Sequence, residues 1–172
     1  MTKDNAVTPI PIHPQTQIGH IHLTVADLER SLAFYRDLLG FEVTMQYGDS
    51  AVFLSAGGYH HHIGLNTWAG EEASPPPPGH TGLYHFAILY PNRKELAKAV
   101  KKLMQAHYPL QGASDHGVSE AIYLADPDNN GVELYADRPP EAWPRDPQGN
   151  LKASRGTLDL DNLLTELEDE KG

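Results

Sequence analysis

The strongest constraint on this chain is a secondary-structure pattern that occurs twice, 65 residues apart. Residues 18–25, IGHIHLTV, are rich in β-branched and apolar side chains and read as a strand, as do residues 83–90, LYHFAILY. Each run is followed by a helix. Asp27 caps the first, which runs to about Leu39 with Leu28, Leu32, Tyr35 and Leu39 in helical period, and Gly40 supplies its stop. Asn92 with Glu95 has the spacing of a capping box ahead of the second, which runs to about His107 with Leu96, Val100, Leu103 and Met104 on one face. With His20 set on His85, Asp27 falls on Asn92, Tyr35 on Val100 and Leu39 on Met104. Strand-like runs follow in both halves: FEVTMQY, AVFLSA and HHHIGLNTW in the first, and segments ending in EAIYLAD and VELYAD in the second. Both halves therefore read βαβββ, a repeat of pattern and not of identity.

This predicts an α+β fold of two βαβββ modules with a C-terminal helix. Residues 1–16 form a loose arm and residues 17–138 the domain. Its modules are 17–70 and 81–138, joined by a linker over 71–80 whose four consecutive prolines fit neither a helix nor a central strand. Residues 139–172 are a polar, proline-bearing extension ending in an acidic amphipathic helix with Leu160, Leu163, Leu164 and Leu167 in period. That helix either packs on its own domain or docks on a second subunit.

Composition removes several classes of function. The absence of cysteine excludes disulfide frameworks, thiolate zinc sites and cysteine nucleophiles. A net charge of −10 disfavours nucleic acid as a partner. The apolar runs are far below the ~20 residues that span a bilayer, and the first residues lack a signal-peptide core, so a soluble cytoplasmic protein is expected. Against this background, ten histidines beside only 13 lysines and arginines stand out.

Two of them, His20 and His85, occupy matching positions at the start of matching strands. Such positions converge across a pseudo-twofold axis. Glu133 lies in the last strand of the second half, where a period of two turns it away from Val132 and Leu134. Two neutral imidazoles and one carboxylate hold a divalent first-row metal on one face and leave about three positions open. Iron(II) held this way keeps one positive charge, which a singly deprotonated catechol neutralises. The repeat also predicts a fourth inward position in the histidine run His60, His61 and His62. Alternation puts His60, His62 and Gly64 on one face and His61, Ile63 and Leu65 on the other, with His62 favoured as the inward group and His60 next. An exposed edge or an incidental metal-binding patch is the alternative for this run.

The paired βαβββ pattern with ligands on matching strands resembles the vicinal oxygen chelate superfamily, which includes glyoxalase I, fosfomycin-resistance thiol transferases, bleomycin-binding proteins and extradiol ring-cleaving dioxygenases. The stretch HGVSEAIYLADPDNNGVELY is similar to the extradiol signature, carried by His116, Ile122, Tyr123, Asp126, Pro127 and Glu133. Ser114 and Asn129 depart from that pattern; Asn129 replaces a turn Gly or Pro, a mild change because Asn tolerates a left-handed backbone. The stretches AVFLSAGGYHHHIGLNTW and GLYHFAILYP look most like bacterial catechol 2,3-dioxygenase-like proteins.

The resemblance implies a metal-dependent extradiol dioxygenase acting on a small aromatic diol with O2. Fe2+ would be the metal, with Mn2+, Ni2+ and Zn2+ as alternatives. His20, His85 and Glu133 would be the metal ligands. His116 and Tyr123 would hold the catecholate or protonate the ring-cleavage intermediate, and His62 would remove and return a proton. It also implies a homodimer, with the acidic C-terminal helix a candidate for the interface. A glyoxalase-I-like lyase is the rival enzyme, but residues 59–68 offer no acid for its usual role. A thiol transferase acting on phosphonates wants cations, and no Lys or Arg lies between Glu42 and Asn92. A non-catalytic drug-binding protein is the third reading.

Overall fold

The computed structural model describes residues 10–70, 72–152 and 154–168. The first nine residues of the expected arm and the end of the acidic helix, from residue 169, lie outside these. No described helix is long and apolar enough to cross a membrane.

In the first half, β1 (Ile21–Thr24) leads into α1 (Leu28–Leu32), then β2 (Glu42–Tyr47), β3 (Ala51–Ser55) and β4 (Ile63–Asn66). They form a sheet in the order β1-β4-β3-β2, with β1 parallel to β4. In the second half, β5 (Phe86–Tyr90), α2 (Arg93–Gln105), β6 (Gly112–Asp115), β7 (Ser119–Ala125) and β8 (Gly131–Asp137) repeat the arrangement, with β5 parallel to β8. A short strand from the C-terminal extension, β9 (Gly156–Thr157), adds a fifth member in the order β5-β8-β7-β6-β9.

Both helices start where their caps predict. The Asp27 carboxylate accepts from the Arg30 N–H, and the Asn92 side chain accepts from the Glu95 N–H. The first helix departs from the expected period. After Leu32 the backbone widens into a π turn over Ala33–Leu38, with the Leu39 N–H donating to the Phe34 carbonyl five residues back. The widening buries Phe34 beside Tyr35, while Leu28 and Leu39 stay half-buried. Gly40 ends the turn at φ +92°, a left-handed conformation that suits glycine. On α2 the buried strip is Leu96, Ala97, Val100 and Leu103. Met104, expected on that face, is in the last turn and largely exposed.

One face of each sheet makes the core. Leu23, Val52, Leu54, Ile63 and Leu65 pack with α1, and Ile122, Leu124, Val132 and Leu134 pack with α2, in one continuous cluster. The opposite face of each sheet is open and mixes histidines with aromatic and aliphatic side chains, and it carries the candidate site. The halves meet through the first helix: the Tyr35 hydroxyl donates to Asp126, Phe34 stacks on Tyr108, and Arg30 pairs with Asp128. The C-terminal helix α3 (Leu160–Thr165) packs on its own chain. Leu158 and Leu163 are buried, and Arg93 on α2 donates to Asn162 and Glu166.

Candidate functional site

His20 immediately precedes β1 and His85 immediately precedes β5, so the matching sequence positions are matching structural positions. Strand register carries the correspondence further. His22 pairs with Gly64 across β1 and β4, and Ala87 pairs with Glu133 across β5 and β8. The first-half counterpart of Glu133 is therefore Gly64. His62 lies two residues before it. The space a side chain would fill at Gly64 is taken by His22, whose Cγ would lie 2.9 Å from a Cβ there. The His22 ring is held between Phe53 and Trp68, at 5.7 and 5.4 Å between ring centroids.

On the open face of the second sheet four of the predicted residues come together. The strand alternation turns Glu133 away from buried Val132 and Leu134, as the sequence implied. His85 Nε2 stands 2.9 Å from Glu133 Oε2, with side-chain exposures of 31% and 13%, so the pair opens to solvent on the histidine side. Tyr123, directly opposite Glu133 in the β7–β8 register, donates its hydroxyl proton to Glu133 Oε1 at 3.1 Å. His116 Nε2 lies 2.7 Å from the same hydroxyl oxygen. A phenol has one proton, and here the carboxylate takes it. The bond from His116 must therefore be Nε2–H donating to the phenol oxygen. A continuous path results, from His116 through Tyr123 to Glu133. Burial first, and then the Glu133 charge, push the Tyr123 phenol up to about 12, which keeps it a donor near neutral pH.

The first module gathers a different set. His20 packs against His61 at 4.4 Å, and His61 packs on Phe53 at 5.0 Å. His61 therefore shares the open face with His20 and does not point to the core with Ile63 and Leu65. The reason is local: the backbone of His62 still bonds to Leu54 and Ile21 ahead of β4, but His61 lies before that pairing, so strand alternation does not extend back to it. His60 is exposed, with its Nδ1 2.7 Å from Nδ1 of His61. Desolvation, and then the neighbouring His20 and His60, pull the His61 imidazole below its usual pKa. His62 turns Nδ1 toward Ser55 Oγ at 3.0 Å, and the Ala56 N–H donates to that same nitrogen. An N–H can only donate, so Nδ1 accepts and the neutral ring carries its proton on Nε2. This open face also holds His22, which the sequence left unassigned, and His61, which alternation had placed on the other face.

The donor chemistry can be tested against a metal. Two donors bound to one ion at about 2.1 Å and at right angles stand about 3 Å apart. The 2.9 Å between His85 Nε2 and Glu133 Oε2 matches that separation. The pair thus fits two neighbouring positions around one ion. His20 does not join them: among the described residues, no three His, Asp or Glu side chains stand close enough to hold a single ion.

Comparison with known proteins places the chain. A family model described as the Glyoxalase/Bleomycin resistance protein/Dioxygenase superfamily matches residues 17–134. Catechol-2,3-dioxygenase of Bacillus subtilis (strain 168) is 45% identical over 163 residues, covering 93% of this chain and 55% of that protein. Biphenyl-2,3-diol 1,2-dioxygenase 3 of Rhodococcus globerulus is 28% identical over 121 residues, covering 70% of this chain and 63% of that one. The chain thus spans between half and two thirds of the length of these curated relatives. A crystal structure of a glyoxalase/dioxygenase from Nostoc punctiforme shares the fold, with a TM-score of 0.62 over 77% of this chain and all of that one, at 20% identity. With the family match covering both modules, the chain belongs to the glyoxalase, bleomycin resistance protein and dioxygenase superfamily.

Proposed function

We propose that this chain is a metal-dependent extradiol dioxygenase that opens a catechol-type ring with O2. One observation carries the reading: a histidine and a glutamate at ion-sharing distance, with the glutamate tied to a tyrosine and a second histidine in a single hydrogen-bonded path. The names of the Bacillus and Rhodococcus relatives support the same reaction class.

In this reading His85 and Glu133 would supply two ligands to iron(II), while His20, expected as the third, stands apart from them within the chain. When bound, the ion supplies a positive centre that draws a catecholate and dioxygen together and lets electron density pass between them. The protein residues do the rest. Glu133 lowers the ion's charge to one, which a singly deprotonated diol balances. Tyr123 fixes the free direction of the Glu133 carboxylate and stands beside the place of the diol. His116 holds the phenol oxygen and can replace its proton. His62, with Nε2–H outward, suits delivery of a proton; removal of one at Nε2 needs the other tautomer.

The test is anaerobic loading with iron(II), addition of catechols, then air. A yellow ring-fission product is expected. A colourless outcome with iron bound would end the dioxygenase reading, and turnover of a thiol-aldehyde adduct with nickel or zinc would replace it with a glyoxalase-type activity.

A further inference from the structure

We infer that Asp115 is a positioning residue for His116, and that the C-terminal extension holds the turn on which both depend. This rests on the part given to His116 in the dioxygenase reading above and names the residues that keep its imidazole on the Tyr123 phenol.

His116 stands in the short turn between β6 and β7, a kind of place where a backbone ordinarily shifts with ease. Its Nε2 lies 2.7 Å from the Tyr123 hydroxyl oxygen. A drift of about 1 Å would carry that contact past hydrogen-bond length. The turn is tied down where it matters. The Asp115 carboxylate bridges two donors. Its Oδ1 accepts from the Gly117 N–H at 2.8 Å, which closes the backbone around His116. Its Oδ2 accepts from the Arg138 guanidinium at 2.7 Å. The two neighbours of His116 are thus fastened to each other and to the chain just past β8. Main-chain bonds repeat the tie: the His116 N–H donates to the Ser119 carbonyl, and the Arg138 N–H to the Val118 carbonyl.

The extension supports the same turn from outside. β9 pairs with β6 at Ser114 and Asp115, the two residues ahead of His116. Gly117, at φ +77°, sits so near the extension that a Cβ there would lie 2.9 Å from Pro144 Cγ and 3.1 Å from Ser154 Cβ. Trp143 donates its indole N–H to the Arg138 carbonyl, which joins the extension to the arginine that holds Asp115. The other half of the molecule shows that a sheet edge here does not require such cover. Its matching strand, β2, pairs only with β3 among the described residues, and the turn between them carries no predicted site residue. Arg138, Trp143, Pro144 and Ser154 also lie past residue 134, where the superfamily match ends. Arg138 donates to Glu120 as well, so Asp115 is the more selective point to test.

The test uses Asp115→Ala, Asp115→Asn, His116→Ala and the double variant of Asp115→Ala with His116→Ala. The amide oxygen of Asn can still accept from Gly117, whereas Ala offers nothing. Nuclear magnetic resonance of the full chain, with isotope-labelled histidine and before iron is added, reads the ring proton on His116 Nε2, identified by its loss in His116→Ala. That proton is expected to be protected from exchange, to persist in Asp115→Asn and to vanish in Asp115→Ala. With iron loaded, Asp115→Ala should keep bound iron and KM within about twofold while kcat falls about tenfold or more. Asp115→Asn should recover most of that loss. In a chain already lacking His116, removal of Asp115 should cost no more than about twofold further.

An aspartate that serves stability alone would give the same fold-loss in both backgrounds. That result, or an unchanged kcat in Asp115→Ala, overturns the inference and leaves the proposed activity standing. Persistence of the ring proton in Asp115→Ala overturns it whatever the activity. If the unaltered protein opens no catechol, the proposed activity falls instead and the ring proton decides the inference alone. Should Asp115→Ala not fold, Gly117→Ala, which presses the turn against Pro144, is read for the same two signals with the same outcomes.

Discussion

The Tyr35 hydroxyl of the first module donates to Asp126 of the second at 2.7 Å, with both side chains buried. Asp126 also accepts from the Asp128 and Asn130 N–H groups and from the Asn130 amide, so one carboxylate organises the turn before β8 and fastens it to the first helix. Asn129 in that turn adopts φ +63°, the left-handed conformation expected of an Asn that replaces Gly. Tyr35→Phe removes one donor from a buried acceptor. A loss of about 1–3 kcal/mol is expected, read as a lower urea midpoint with an unchanged slope.

Gly64→Ala should destabilise the protein by about 1–3 kcal/mol, because the new methyl group meets the His22 ring. Thermal melts of Gly64→Ala, His22→Ala and the double variant check this. The double variant is expected to regain most of the loss caused at Gly64. Additive losses would mean that the cost at Gly64 arises elsewhere than at the His22 ring.

Tyr123→Phe cuts the path from His116 to Glu133 but leaves both candidate donors in place. Bound iron should stay near the unaltered level while ring cleavage falls about 10²-fold or more. His62→Ala should likewise retain iron and lose turnover. A loss of iron in the His62 variant would make that residue a ligand.

His85→Ala is expected to remove bound iron and ring cleavage together while far-ultraviolet circular dichroism stays unchanged. Cleavage at the original rate would refute the assignment of His85.

Alkaline pH should weaken the fold. Burial pushes the phenols of Tyr90 and Tyr108 up to about 12, Asp126 adding to the effect at Tyr108, against an ordinary value of 10.0. Between these values the folded chain keeps protons that the unfolded chain has released. Their contribution is thus fully present below about pH 10 and falls as pH rises toward 12. Urea unfolding at ~pH 9 and ~pH 11 should show the decline, with phenolate absorbance rising as the chain opens.

Much of this was legible in the sequence because it is local. The caps at Asp27 and Asn92, the outward turn of Glu133 and the matched placing of His20 and His85 each follow from a few neighbouring residues. The π turn did not show, because Phe34 and Tyr35 read equally well in an ordinary helical period. The orientation of His61 was hidden because the period of two reads through HHHIGL although strand hydrogen bonding reaches back only to His62. The separation of His20 from Glu133 was out of reach for a different reason. It depends on how two sheets are set through Tyr35, Phe34 and Arg30, a long-range matter that no periodicity encodes.

The bare α-carbon at Gly64 bears on the stoichiometry of the proposed site. Two halves alike in trace offer a single acid between them at the register of Glu133, since the other half has given that volume to an imidazole ring. If the proposed site holds, one ion for each polypeptide is the ceiling at this register.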